Sequence, residues 1–320
     1  MVLPESINQN EIEKAEKCKI FKKQLLETYP KERNADLNLE RAEGFIKGYG
    51  LEVGDYIIVN DEELDVIWKQ GISMGVLAEE DRSNWNGSYF LGLDLVMVRR
   101  DPKMERLNGK IFTEGILVHE LAHESAKIFI NPGKSYVYTR MGFRCSYGGG
   151  WGGFLEEGFA ELFRGNYKEK YLTKEQKRKL SSSIRNLSAR GNDEKQQNKE
   201  EMAEVISSVL KYFDLVTENR AEINKTSLAS SAIELLMLVD RRLFSILVEA
   251  RTSIEGFKKL AIRLNRIKPN LYVYLQKGDL SEKSFMEKYL FVRNKASGIW
   301  GQSVKANVLI MTFLEKMGII

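Results

Sequence analysis

The sequence predicts an α+β fold that is mostly helical, and three observations carry that expectation. Apolar residues recur at helical spacing over long stretches on both sides of the chain's middle. Two short runs, residues 55–60 and 89–98, are instead dense in apolar, β-branched and aromatic residues, as strands are. Residues 113–130 form a segment that is apolar nearly all round and nevertheless carries His119, Glu120 and His123.

Taken in order, residues 11–29 predict a helix with Ala15, Ile20, Phe21, Leu25 and Leu26 on one side. Residues 36–47 predict a second helix, ended by Gly48-Tyr49-Gly50. The strand over 55–60 precedes a helix over 62–77 with Asp61 as its N-cap. Asn86-Gly87 is a hairpin-type dipeptide leading into the strand 89–98, which Arg99-Arg100-Asp101-Pro102 ends. The helix over 113–130 follows and stops at Asn131-Pro132-Gly133. Residues 135–146 are β-rich and predict a hairpin bent at Gly142. Residues 147–153 are glycine-rich but lack the Lys-Ser/Thr pair of a phosphate loop, so they predict a flexible loop before a helix over 154–164. Residues 173–180 predict a solvated helical face and 181–198 a polar loop or boundary. Helical patterns return over 200–213, 227–249, 254–264 and 303–317, with no internal repeat. The expected division is a domain over 1–190 that carries the motifs described below, and a helical C-terminal subdomain over 191–320.

At 320 residues the chain is long enough for one large domain or two lobes with a real core. Its 43% hydrophobic and 29% charged content is that of an ordinary globular protein. Lys+Arg number 49 against 45 Asp+Glu, interspersed, and the net charge of +4 argues against a nucleic-acid or membrane surface. Two distant cysteines, Cys18 and Cys145, make no disulfide framework. The polar first residues lack an apolar signal core, and no run reaches the roughly 18 apolar residues of a membrane span. The expectation is a cytoplasmic, soluble protein.

His119 and His123 are the only two histidines, and they stand four apart with Glu120 after the first. On a helix, positions i and i+4 share a face, so two imidazoles can take one metal ion from one side. Glu120 projects about 100° away and can reach a water on the metal without being a ligand. This is the pattern of a zinc-protease helix with Glu120 as general base. A catalytic zinc needs a third protein ligand, and with no further histidine it must be Glu, Asp or Cys. The candidate is Glu157, in Phe154-Leu-Glu-Glu-Gly-Phe-Ala-Glu-Leu-Phe163, reached past the hairpin run and the glycine-rich loop. Glu156 is the alternative.

With these motifs the stretch from Ile111 to Arg164 resembles the gluzincin clan of zinc metallopeptidases. His119-Glu-Leu-Ala-His123 looks like the clan's first motif, and Glu157-Gly-Phe-Ala-Glu161 like the Asn-Glu-Gly-Phe-Ala motif of the membrane-alanyl aminopeptidase family and, more loosely, the equivalent thermolysin helix. The resemblance implies a two-lobed zincin-like fold, a small N-terminal sheet packed on the His-Glu-x-x-His helix, and a C-terminal helical lobe closing a cleft. It implies His119, His123 and Glu157 as zinc ligands, Glu120 as base, and Glu161 as the carboxylate that bonds a ligand histidine and fixes its tautomer. Its register favours Glu157 over Glu156. Glu156 stands where the aminopeptidases carry Asn, and their Gly-x-Met-Glu-Asn stretch for a substrate's free amine is absent, so the resemblance does not extend to aminopeptidase activity.

The implied reaction is hydrolysis of a peptide bond in a peptide or protein substrate, Glu120 taking a proton from water and passing it to the leaving amine. The oxyanion needs a further donor, and the histidine count leaves tyrosine or arginine. Tyr212 follows Glu157 at a distance similar to that in the aminopeptidase family. Tyr138, Tyr147, Tyr167, Arg140 and Arg144 are nearer in sequence, with ordinary structural roles expected for each. The run 89–98 is a candidate edge strand for an extended peptide. Cys145 has no histidine left to activate it as a nucleophile. The competing expectation is a zinc-binding protein without proteolytic activity, or a zinc hydrolase of a non-peptide bond.

Overall fold

A computed structural model describes residues 9–79, 85–126, 128–131, 138–145, 152–175, 225–277 and 281–297. The architecture is α+β and mostly helical. The chain divides into two compact units, one up to Ser125 and one from Ala126. The expected helices over 200–213 and 303–317 lie outside the described residues.

The first unit opens with helix α1 (Gln9–Thr28), a 3₁₀ turn at Lys31–Asn34 and helix α2 (Leu39–Lys47). Asn38 caps α2, its side chain accepting from the Arg41 backbone N–H at 3.0 Å. Strand β1 (Tyr56–Val59) leads into helix α3 (Asp61–Ser73). The N-cap of α3 is Asn60 rather than the expected Asp61, because Asn60 and Glu63 form a reciprocal capping box.

The run 89–98 is not one strand. It is a hairpin of β2 (Gly87–Phe90) and β3 (Leu95–Arg99), antiparallel and in register Tyr89↔Val96. The reversal falls at 91–94, where Asp94 adopts φ 49°, and not at Asn86-Gly87. Asp94 is suited to that bend because a short polar side chain tolerates the left-handed region. Its carboxylate accepts the Tyr89 hydroxyl at 3.0 Å. Strand β1 pairs parallel with β3, giving the order β1-β3-β2.

Both faces of this sheet are covered. Ile57, Val59, Leu95 and Met97 join Phe21 and Leu25 of α1 and Leu64, Ile67 and Trp68 of α3 in one core. The alternating residues Tyr56, Ile58, Val96 and Val98 are buried on the other side. Helix α4 (Pro102–Asn108), capped by Asp101 with Pro at its start, was not signalled by periodicity. Helix α5 (Ile111–Glu124) then packs on β2, β3 and α2.

The helix expected over 113–130 is cut short at Glu124. Residues Ile128–Asn131 form strand β4, paired antiparallel with β5 (Tyr138–Met141). The segment Ile128-Phe129-Ile130 is apolar on every side, so periodicity could not separate strand from helix, and pairing decided it. Strand β6 (Arg144–Cys145) returns from β5 through the Gly142-Phe143 turn, where the hairpin bend was expected.

The second unit continues with α6 (Gly153–Tyr171), α7 (Lys225–Val239), α8 (Leu243–Thr252), α9 (Ile254–Ile267), α10 (Leu271–Gln276) and α11 (Glu282–Ser297). The expected helix over 227–249 is two, broken at Asp240, whose side chain accepts the Arg242 N–H. α6 and α11 both pack on α7, α8 packs on α9, and α10 lies against α6.

An ionic network fastens the start of α5. Arg100 forks onto Asp36 at 2.9 and 2.5 Å and onto Glu105 at 2.9 Å, Lys110 also reaches Asp36, and the Thr113 hydroxyl donates to Glu105 at 2.7 Å. Hydrogen bonds from Arg100 and then Lys110 hold the Asp36 carboxyl well below the usual carboxylate range. A depressed carboxylate stabilises the fold above its unfolded pKa and loses that contribution as pH falls toward its folded value. Asp36 is 42% exposed, so the contribution is of order 1 kcal/mol at most. Asp36→Asn should lower the melting temperature at pH 7 by a few degrees, and the gap to wild type should narrow below about pH 4. Thermal melts across pH check this, and a gap that widens with acid would contradict it.

Candidate metal centre

Helix α5 has almost no exposed face. Every residue from Ile111 to Val118 is buried, as are Glu120, Leu121, Ala122 and His123, and only His119 and Glu124 are half-buried. Fully burying one such apolar side chain is worth about 1.5–3 kcal/mol, which fixes the helix on the sheet. Each of its carboxylates then has to be accounted for.

Glu114 accepts the Asn38 backbone N–H at 2.8 Å and pairs with the Arg41 guanidinium, tying α5 to the cap of α2. Glu124 accepts the Gly54 N–H at 2.9 Å, in the approach to β1, and burial pushes its carboxyl above the ordinary carboxylate value despite that bond. Glu120 lies against β2. A Cβ at Gly87 would come within 3.0 Å of Glu120 Cγ, 3.2 Å of its Oε1 and 2.9 Å of Ile116 Cγ2. Glycine at 87 therefore leaves the space that the Glu120 side chain occupies.

The two histidines bring the same ring nitrogen close together. His119 Nε2 and His123 Nε2 are 3.2 Å apart, with ring centroids 4.8 Å apart and planes inclined at 74°. Two nitrogens each about 2.0–2.1 Å from a tetrahedral ion would be separated by about 3.3 Å. The observed spacing is compatible with a ligand pair, and it is also that of a hydrogen bond between the two rings. Glu157 supplies the third group: one atom from each of His119, His123 and Glu157 lies within 4.8 Å of the others, close enough to hold one metal ion. Glu120 is not in that group.

Glu156, the alternative ligand, is committed elsewhere. It is fully buried; its Oε2 takes the Arg251 guanidinium at 2.7 Å and the Phe143 N–H at 3.0 Å. Arg251 is itself fully buried, its Cζ 4.6 Å from the Phe159 ring centroid and 5.6 Å from that of Phe143. Removing one partner of such a pair strands a buried charge, at a cost of about 3–5 kcal/mol. Sequence reading missed this pair, since Arg251 sits on an ordinary amphipathic pattern.

Glu161, one turn beyond Glu157, is 2% exposed and has the Arg164 guanidinium 3.5 Å from its Oε2. Tyr167 is fully buried, its ring tilted at 54° against that of Tyr171 with centroids 4.9 Å apart, a core position. Tyr138 and Arg140 fall in β5, and Arg144 and Cys145 in β6. Tyr147 and Tyr212 lie outside the described residues.

The donor set of two imidazoles and one carboxylate suits a divalent transition metal, and zinc among them. No described helix is long and apolar enough to cross a membrane. Comparison of the chain with protein-family models, with curated proteins and with solved structures finds no match to any of them.

Proposed function

We propose that this chain is a zinc-dependent metallopeptidase, with His119, His123 and Glu157 as zinc ligands and Glu120 as general base. The observation that carries the reading is that ligand atoms of His119, His123 and Glu157 lie within 4.8 Å of one another, the two Nε2 atoms 3.2 Å apart, while Glu120, adjacent in sequence to His119, stays out of that group. A purely structural site has no use for that fourth group, because closed structural sites fill four positions with ligands.

When bound, zinc would supply Lewis acidity toward a carbonyl and lower the pKa of a coordinated water. The rest belongs to the chain. Glu120, buried and packed on Gly87, would accept a proton at a carboxylate oxygen and return it to the departing amine. β2 supports a peptide as the substrate. It pairs with β3 on one side only among the described residues, and all four of its residues are half-buried. An extended peptide can add to such an edge by main-chain hydrogen bonds. That edge starts at Gly87, beside Glu120, so the added strand would pass near the base. Glu161 would fix a ligand histidine's orientation, and Tyr212 remains the proposed oxyanion donor.

Incubating the purified protein with a broad peptide library, with and without a chelator, tests the reading. Chelator-sensitive cleavage is expected. A zinc-loaded protein that cleaves nothing would favour a non-proteolytic or non-peptide role instead.

Four substitutions separate the roles. Glu120→Gln keeps shape but removes basicity, so zinc content and melting temperature should stay near wild type while hydrolysis falls at least about 10²-fold. Full activity in that variant on a substrate the wild type cleaves would sink the assignment. Glu157→Gln removes an anionic ligand, and zinc occupancy should drop together with activity. Glu161→Ala should weaken zinc affinity by roughly 10–100-fold without unfolding the protein. Gly87→Ala should displace the Glu120 carboxylate and cut hydrolysis with zinc content retained; a variant as active as wild type would show that the base tolerates the shift.

A further inference from the structure

Glu157 lies in the second turn of a helix whose start is unusual. No side chain caps α6; its N-cap is Gly152 at φ +92°. That glycine is closely enclosed: an added Cβ would fall 1.7 Å from the Phe143 carbonyl oxygen, and its N–H donates to the Gln276 carbonyl of α10 at 2.9 Å. One turn on, the Glu156 carboxylate sits over the same hairpin turn. An added Cβ at Gly142, where φ is +56°, would lie 2.5 Å from Glu156 Oε2 and 3.0 Å from Arg251 Nη1. The Phe143 N–H and the Arg251 guanidinium therefore grip one carboxylate oxygen from two elements, the β5–β6 turn and α8. The rings of Phe143 and Phe159 flank the guanidinium.

Consecutive helical residues point about 100° apart, so clamping residue 156 also sets the direction of residue 157. Ligand groups must be held within about 0.5 Å and 10–20° of productive geometry, and the burial of Glu156 and Arg251 removes the freedom that would blur it.

We propose that Arg251 and Glu156 are positioning residues for the metal centre: their buried pair locks the first turns of α6 onto the Gly142-Phe143 turn and so aims Glu157 at the histidines. This inference rests on the metal reading above. Neither residue is a ligand.

The test measures zinc dissociation constants by chelator competition, and cobalt(II) absorption spectra, on the full chain. The double variant Glu156→Leu with Arg251→Met replaces the pair by apolar groups of similar size, an exchange that buried ion pairs often tolerate. It should fold, with a melting temperature near wild type, yet bind zinc at least about tenfold more weakly, with an altered cobalt spectrum. Arg251→Lys keeps the charge but loses the planar fork, and should fall between the double variant and wild type. Arg263→Ala breaks the partly buried pair with Asp240, 3.4 Å apart in the same unit; it should lower the melting temperature and leave zinc affinity unchanged. A folded double variant with wild-type zinc affinity and cobalt spectrum overturns the inference. If the double variant does not fold, Arg251→Lys decides: zinc affinity equal to that of Arg263→Ala overturns it, and weaker affinity upholds it. Wild-type protein that takes up no zinc overturns the metal reading, and this inference with it.

Discussion

Charge buried in a helix that has no exposed side is the constraint on which the rest of this structure depends. α5 places three carboxylates and two imidazoles among residues such as Leu117, Val118 and Leu121, which have no solvent access at all. An ionised group taken from water to such a place must be paired or hydrogen-bonded, or it neutralises. Glu114 and Glu124 meet this demand with polar contacts, and each of the three acids lies against a different piece of chain. Glu114 takes Arg41 and the N–H of Asn38, Glu124 takes the N–H of Gly54, and Glu120 fills the space left by Gly87. The first unit is therefore organised around the helix twice over: by the apolar contacts of the sheet, and by the contacts of its acids, polar at the start of α2 and the approach to β1 and steric at Gly87 of β2.

The same logic governs the start of α6. Glu156 is as deeply buried as any residue of the core, and its partner Arg251 comes from a helix nearly a hundred positions later. A pair that has lost water on both sides contributes little net stability, because desolvation offsets attraction. What such a pair does supply is discrimination: any shift of α6 that separates the two groups leaves a bare charge. The motif Glu-Gly-Phe-Ala-Glu can be decoded in these terms. Gly158 lets α6 approach α7 so closely that an added Cβ would lie 2.8 Å from the Ala229 carbonyl carbon; Phe159 lies under the Arg251 guanidinium; Glu161 faces Arg164. Three of the motif's five positions are thus explained by packing and charge pairing within the unit, before any metal is considered.

This explains what could and could not be read from the sequence. The helices α1, α2, α3 and α9 were legible because one face is apolar and the other wet. The type of segment was lost where that contrast disappears. Residues 128–130 are apolar throughout, and tertiary pairing made a strand of what periodicity extended as helix. The run 89–98 hid a reversal at Asp94, because Gly92 and Asp94 sit inside an otherwise continuous apolar stretch and the stronger dipeptide signal, Asn86-Gly87, lies just outside it. The histidine pair was legible since the chain has only two histidines and they stand four apart, and Glu157 was legible through the register of a motif that the stretch resembles. The Glu156–Arg251 pair was not, since nothing local marks an arginine whose partner is supplied by the fold.

The adjacent acids Glu156 and Glu157 make the last step clear. They are chemically identical, and sequence alone separates them only by register against a motif. In the fold they diverge because a helix turns about 100° per residue. One points into the second unit's core, where it takes Arg251 and the Phe143 N–H; the other, half-buried, brings an oxygen within 4.8 Å of an imidazole nitrogen of each histidine. The distinction is thermodynamic as well as geometric. Exchanging their roles would require rotating α6 by roughly a third of a turn, stranding the guanidinium and opening the Gly158–Ala229 approach. What distinguishes the two acids in the structure is therefore the packing of the second unit, which engages Glu156 with Arg251 and the Phe143 N–H while Glu157, and not Glu156, joins the candidate metal group.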